Sequence, residues 1–241
     1  MRLIRQELRS RMRDILSYLR MLQFIERAGG TVSLHVRGSQ AFLVAQNVIH
    51  VQKAGVFLHL YNLLESTVAA GLSFIAEEIK SSGLPFLELN ECWQSAWAGS
   101  YGKVDEDLAP GTRSAAVLRL CRAVAQGISI EIRPKVGSGN LDDRRIEELA
   151  KRYGIALTFP PALLAVVKHT ELNDLGFLGL VRTRRNSLAH GLESFAEIGR
   201  NYPVADLARW SWATYKYLKC LLTCFESYAT TQGFRRRASV S

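Results

Sequence analysis

The stretch Leu180-Val181-Arg182-Thr183-Arg184-Arg185-Asn186-Ser187-Leu188-Ala189-His190-Gly191 combines a helical pattern with a charge in an unusual position. Val181 and Leu188 lie two turns apart in one apolar register, which predicts a helix. Arg185 occupies the position between them that such a helix normally fills with an apolar side chain. We therefore expect Arg185 to face other protein groups and Gly191 to end the helix.

Helical geometry leaves two interpretations of this stretch open. Five residues separate Arg185 and His190 by about 140° around an ideal helix, whereas Asn186 and His190 share a face. Arg185 and His190 can converge if the helix ends near Gly191, if the arginine reaches across, or if a partner subunit completes the pair. Alternatively, Arg185 pairs with a buried acid such as Glu65, and His190 caps the helix.

A second polar pair lies in a long apolar helix predicted at residues 44–80. Asn62 and Glu65 are three residues apart and occupy adjoining positions on that helix. Buried polar groups need partners, so the two side chains either serve a site or fix helix packing.

Composition indicates a globular protein with anionic partners. The chain has 241 residues, 48% of them hydrophobic, and a formal net charge of +9, which favours nucleic acid first and an acidic membrane surface second. The N-terminus lacks a secretory pattern and no apolar run is long enough to span a bilayer, so a cytoplasmic protein is expected.

Cys220 and Cys224 could share a metal, but the four cysteines favour reduced, buried thiols, and we expect no metal and no cofactor.

The periodicity predicts an all-α antiparallel helical bundle with additional helices and at most minor short strands. We divide the chain into a basic amphipathic helix packed on the domain at 1–30, a helical domain at 31–230 and a flexible basic tail at 231–241. Further helices are predicted at 84–97, at 170–189, from Pro203 onwards, and at 141–153 with Asn140 as the N-cap. A short strand is predicted at 31–36.

The segment Arg185-Asn186-x-x-x-His190 resembles the R-x4-6-H signature of the HEPN superfamily (higher eukaryotes and prokaryotes nucleotide-binding). Several other segments of the sequence are similar to the stand-alone prokaryotic branch called MAE-type HEPN. The residues that carry this similarity, in chain order, are 60–66, 139–142, 153–155, 185–191, 194–195 and 198–200.

The resemblance implies a helical bundle that forms a homodimer, with the motifs of two protomers meeting in a cleft that cuts RNA without metal. Members are often toxins of toxin-antitoxin or other defence modules, which implies an antitoxin protein as a further partner. By this resemblance Arg185 and His190 are catalytic, Asn186 supports them, and Asn62 and Glu65 are weaker supporting candidates. The main alternative is a non-catalytic HEPN module that binds RNA or a partner protein; a membrane-associated basic helical protein is the remote third.

The residue types suit that chemistry. Metal-free RNA cleavage needs a base for the 2′-hydroxyl, an acid for the leaving 5′-oxygen and positive charge on the phosphate. His190 can act as base or acid, and Arg185 can hold the phosphate bidentately. A two-fold axis at this helix would supply a second His190 for the other role.

Overall fold

Nine α-helices make up most of the described chain, and the all-α prediction is confirmed. The computed structural model describes residues 1–28, 31–32, 42–43, 45–101, 110–127, 132–137, 140–172 and 175–236. The helices are α1 (Arg2–Arg27), α2 (Gln46–Ser81), α3 (Glu91–Tyr101), α4 (Pro110–Ala125), α5 (Asp143–Arg152), α6 (Pro161–Lys168), α7 (Phe177–Ala189), α8 (Phe195–Arg200) and α9 (Val204–Thr230).

Two short antiparallel strand pairs connect some of the helices. They pair β1 (Thr31–Val32) with β2 (Phe42–Leu43), and β3 (Thr170–Leu172) with β4 (Leu175–Gly176). The strand predicted at 31–36 corresponds to β1, and its remaining residues lie outside the described part of the chain.

The core is built on two long helices, α2 and α9. Both carry apolar residues at helical spacing, and α2 packs against α1, α7, α8 and α9. On α9 the stripe of residues at helical spacing from Leu207 to Phe225 is buried against the bundle, and Tyr228 is half-buried at its end. Helix α9 begins immediately after Pro203, as the sequence predicted.

Helix α1 lies across this core and contacts both α2 and α9. Its buried residues recur every three or four positions, while its arginines occupy the other faces. The buried residues are Leu8, Met12, Ile15, Leu19 and Leu22. Arg5 also forms an ion pair of 2.7 Å with Glu226 of α9. In the described ranges no helix is both long and apolar enough to cross a membrane.

Helix α7 begins at Phe177, so the prediction of a helix over 170–189 was wrong for 170–172 and 175–176, and 173–174 lie outside the described residues. The described residues of this segment form β3 and β4, and α7 follows β4 directly. Gly176 precedes the helix and lies against the Val167 carbonyl, where a Cβ atom would be only 2.4 Å from the oxygen. Apolar periodicity does not register such a close approach of two backbone segments.

Two other helix ends also differ from the prediction. Helix α5 is capped by Asp142, whose side chain accepts the Arg145 N–H at 2.8 Å, and not by Asn140. The predicted helix at 84–97 is a 3₁₀ turn (Phe86–Glu88) followed by α3, because the Asn90 side chain accepts the Trp93 N–H at 3.1 Å and starts a new helix there.

The chain after α9 returns to the bundle. The Phe234 side chain is buried, its carbonyl accepts the Asn90 N–H at 2.8 Å, and the Arg236 N–H donates to the Glu88 carbonyl at 2.7 Å. The prediction of a flexible tail from 231 is therefore corrected for 231–236, and 237–241 lie outside the described residues. The division into a helix at 1–30 and a domain at 31–230 stays a prediction.

Candidate functional site

The C-terminal end of α7 is a glycine-terminated helix stop. His190 is the C-cap, and Gly191 follows with φ +65°. The Gly191 N–H donates to the Leu188 carbonyl at 3.4 Å and the Leu192 N–H to the Ser187 carbonyl at 2.9 Å, the pair of bonds that defines a Schellman motif. The predicted stop at Gly191 is therefore seen in the structure.

This stop leaves His190 at the surface. The residue is exposed, and its imidazole makes no hydrogen bond or ion pair to any other described residue. The ring is accordingly open to a ligand or a second protein surface, and no neighbouring side chain of the described chain fixes its orientation.

The Arg185 side chain packs against an aromatic ring of the helical bundle. Its guanidinium lies over the ring of Tyr61 of α2, with 4.6 Å from Cζ to the ring centroid, and one of its terminal amino groups donates to Asn186 Oδ1 at 3.1 Å. Tyr61 is fully buried, and its hydroxyl accepts the Leu141 N–H at 3.2 Å. The expectation that Arg185 contacts protein groups is met by a cation–π contact.

The alternative pairing of Arg185 with Glu65 is absent. Both residues are described, and no ion pair joins them, although both act electrostatically on the Tyr61 hydroxyl. Burial raises the pKa of Tyr61, the Leu141 N–H lowers it, Glu65 raises it, and Arg185 and Arg182 lower it. The net pKa of Tyr61 is raised, so the phenol stays protonated at neutral pH.

The other two arginines of the stretch are neutralised by carboxylates. Arg182 forms an ion pair with Asp142, a buried residue that also caps α5. Arg184 donates to both carboxylate oxygens of Glu193 at 2.9 and 2.6 Å, and its Nε donates to the Tyr202 hydroxyl at 2.8 Å. Of these three arginines, Arg185 alone has no carboxylate partner among the described residues.

The predicted site residues fall into two groups. Arg185 and Asn186 are in direct contact. Glu65 is half-buried and, like Arg185, acts electrostatically on Tyr61. His190, one turn further along, and Asn62 are exposed, and neither forms a side-chain hydrogen bond or ion pair with Arg185, Asn186 or Glu65.

Sequence reasoning assigned no role to Tyr61 or Arg182. The available signal was a tyrosine beside Asn62 on a helix that is otherwise apolar at that level. For Arg182 the signal was an acid, Asp142, at the start of a predicted helix, but the sequence did not show that the two residues meet.

The described residues contain no group of three or more His, Cys, Asp or Glu side chains that could hold a metal ion. All four cysteines are free thiols, and none is fully buried: Cys121 is exposed and the other three are intermediate. The expectation of buried thiols was therefore wrong.

The chain matches the model of the HEPN_MAE_28990-like HEPN family over residues 2–234. The match covers nearly the whole chain, including α1, which the sequence resemblance had left out. The protein therefore belongs to the MAE-type HEPN family. No curated protein and no solved structure matches it.

Proposed function

We propose that the protein is a metal-independent endoribonuclease of HEPN type, with Arg185 and His190 as its catalytic residues. The observation that carries the proposal is the availability of these two side chains. Arg185 keeps a positive charge that no described carboxylate neutralises, and His190 is exposed at the end of the same helix. A guanidinium and an imidazole are the groups that metal-free cleavage of RNA requires.

The reaction is an internal transfer at phosphorus. One His190 removes the proton from the 2′-hydroxyl, the 2′-oxygen forms a bond to phosphorus, and the bond from phosphorus to the 5′-oxygen breaks. A second imidazole protonates the leaving 5′-oxygen, so the products are a 2′,3′-cyclic phosphate and a 5′-hydroxyl. Arg185 binds the non-bridging oxygens, whose negative charge increases in the transition state.

Two copies of the chain supply the two imidazoles. A single His190 cannot easily be base and acid in one step, whereas a two-fold axis near the end of α7 brings a second one. The apolar surface beside it supports such a contact, because Leu192 is 76% exposed and Phe195 is 37% exposed. Large exposed apolar side chains in one place are typical of protein–protein contacts.

Supporting roles follow from position. Asn186 orients the Arg185 guanidinium through its amide oxygen. Glu65 stabilises the cationic surroundings of Tyr61 electrostatically, and Asn62 is an exposed polar group of the same helix that can contact RNA. Family membership further supports a toxin or defence role in the cytoplasm, where RNA is the substrate, with an antitoxin protein as regulator.

One observation favours the alternative, a non-catalytic module that binds RNA or a partner protein. The His190 ring has no described neighbour to orient it, whereas catalytic histidines are commonly held by a hydrogen bond. Contacts made in the dimer or with RNA would have to supply that orientation.

The deciding experiment is cleavage of single-stranded RNA, run in parallel with and without a chelator. Wild-type protein is compared with Arg185→Ala, His190→Ala and Arg144→Ala, the last removing an exposed cation on α5 as a matched control. We expect cleavage by the wild type and the control, with 2′,3′-cyclic phosphate ends, and a loss of at least about 100-fold for the two site variants.

Three results would contradict the proposal. They are absence of cleavage by the wild type, equal activity of all variants, and activity that the chelator abolishes. Sedimentation of the same samples tests the shared cleft, since a strictly monomeric active enzyme excludes it.

A further inference from the structure

The outer face of α9 carries an exposed aromatic residue between cations. Arg209, Trp212, Lys216 and Lys219 are all exposed and follow one another at intervals of three or four residues, so they form one stripe. Trp212 is 46% exposed, which is unusual for the largest apolar side chain. The stripe lies opposite the buried face of α9 and has no role in the proposed site.

Trp212 separates two apolar grooves. The first, between α9 and α6, has a volume of about 620 Å³ and a floor that includes Leu163, Val166 and Ala213. The second, bounded by α9, α1 and α2, has a volume of about 1140 Å³ and includes Leu3 and Leu16. Because Trp212 lines both, the two grooves form one surface, the Trp212 surface.

The charge around the Trp212 surface is positive. The α6 groove is lined by Arg209, Lys216 and Lys219, and no acidic residue is among its lining residues, although Arg209 pairs with the neighbouring Asp206 at 3.2 Å. Lys216 and Lys219 form no ion pair with any described carboxylate. The α1 groove is lined by three arginines and a single acid, Glu7, which is itself paired with Arg11 at 2.7 Å.

These features select one kind of occupant. A second copy of the chain would bring the same cations against this surface, which costs free energy through like-charge repulsion. RNA would satisfy the cations, but its phosphates and sugars do not bury against aliphatic floors such as Leu163 and Val166. An amphipathic helix satisfies both features when its apolar face enters a groove and its flanking carboxylates meet the rim.

We propose that the Trp212 surface binds an acidic amphipathic helix of another protein, with Trp212 as the central anchor. The inference is independent of the ribonuclease proposal, since it uses α1, α6 and α9 and none of the catalytic candidates. Aromatic residues surrounded by complementary charge at the centre of a groove commonly contribute most of the binding free energy of such interfaces.

The test is fluorescence anisotropy with a labelled synthetic helical peptide that carries Leu on one face and Glu on the other. Reference peptides have Lys in place of every Glu, or the same composition in scrambled order. The variants are Trp212→Ala and Lys216→Glu/Lys219→Glu, and Arg144→Glu/Lys151→Glu is the control for net charge on exposed positions of α5.

Of the three peptides, we expect only the acidic amphipathic one to bind. Added salt should weaken its binding. Trp212→Ala should lower the affinity for this peptide by at least about tenfold. Lys216→Glu/Lys219→Glu should lower it by about tenfold at low salt, and the control Arg144→Glu/Lys151→Glu by less than about twofold. Circular dichroism of each variant verifies that it remains folded.

Several outcomes would overturn the proposal. They are equal loss of affinity in the groove and control reversals, no loss with Trp212→Ala, and equal binding of the scrambled peptide. Self-association that Trp212→Ala abolishes would instead assign the surface to a second copy. Tighter binding of anionic vesicles or single-stranded RNA that needs Trp212 would assign it to those partners.

Discussion

Replacement of Gly199 by alanine tests the closest approach between α8 and α2. A Cβ atom on Gly199 would lie 1.8 Å from the carbonyl oxygen of His50 and 2.6 Å from its carbonyl carbon. Real Cβ atoms essentially never come closer than 3.0 Å, so the two helices must separate by about 1.2 Å, the difference between 3.0 and 1.8. Backbone lies on both sides, and no change of side-chain rotamer relieves the clash.

The free energy of unfolding should fall by about 2 kcal/mol. Overpacking in a close interface costs about 1–3 kcal/mol, and a clash between backbones lies at the upper end of that range. Alanine recovers up to about 1 kcal/mol through its higher helix propensity. Gly99→Ala is the matched control, because Gly99 is exposed in α3 with no atom within 4 Å of its added Cβ.

The measurement is urea unfolding followed by far-ultraviolet circular dichroism. The control should equal the wild type or exceed it by up to about 1 kcal/mol, whereas Gly199→Ala should unfold at lower urea with an unchanged slope. Identical unfolding of the two variants would show that Gly199 and the His50 carbonyl are not in close contact.

Two further predictions concern the site and the start of α8, where the N-cap residue Ser194 and Glu197 form a capping box. Tyr61→Leu removes the ring beneath Arg185, whereas Tyr61→Phe keeps it. A partly desolvated cation–π contact contributes about 1–2 kcal/mol. The kcat/KM of Tyr61→Leu for RNA should therefore be about 5- to 30-fold lower than that of Tyr61→Phe. Equal activity of these two variants would argue against the contact. Glu197 accepts the Ser194 N–H at 2.8 Å, and its backbone and side-chain hydrogen bonds with Ser194 lower the pKa of the carboxyl below 4.5. The wild type should therefore be more stable than Glu197→Gln above pH 4.5 and lose that advantage as acid protonates the carboxyl, which thermal unfolding at neutral and acid pH measures; an advantage independent of pH would contradict this.

Sequence periodicity predicted the long helices well, because burial of one face requires a regular apolar repeat. Helices α2 and α9 lie within two residues of their predicted starts. Helix ends near glycine were also predictable, since Gly154 and Gly191 both adopt the positive φ that few other residues tolerate. These features depend on local sequence alone.

Other helix ends depend on contacts between distant segments. The start of α7 follows from the approach of Gly176 to Val167, and the cap of α5 goes to Asp142, which also pairs with Arg182 of α7. Phe234 is buried beside the 86–90 segment, which a composition-based prediction of a tail does not register. None of these contacts leaves a periodic signal.

The candidate site was predictable in its residue types but not in its contacts. The apolar register indicated that Arg185 faces protein, yet three arginines occur in four positions. Which of them keeps its charge depends on where Asp142 and Glu193 lie after folding. Tyr61 as the surface beneath Arg185 likewise requires α2 and α7 to be in contact.

The packing of α1 against α9 constrains the order in which the protein can fold during its synthesis. Arg5 and Glu226 are 221 residues apart, so α1 cannot pack against α9 until these intervening residues have been synthesised. At roughly 5–20 residues per second, that interval is on the order of 10–40 s. During this interval the part of the apolar face of α1 that later packs against α9 is exposed. Exposed apolar surface of this kind is what chaperones bind during synthesis.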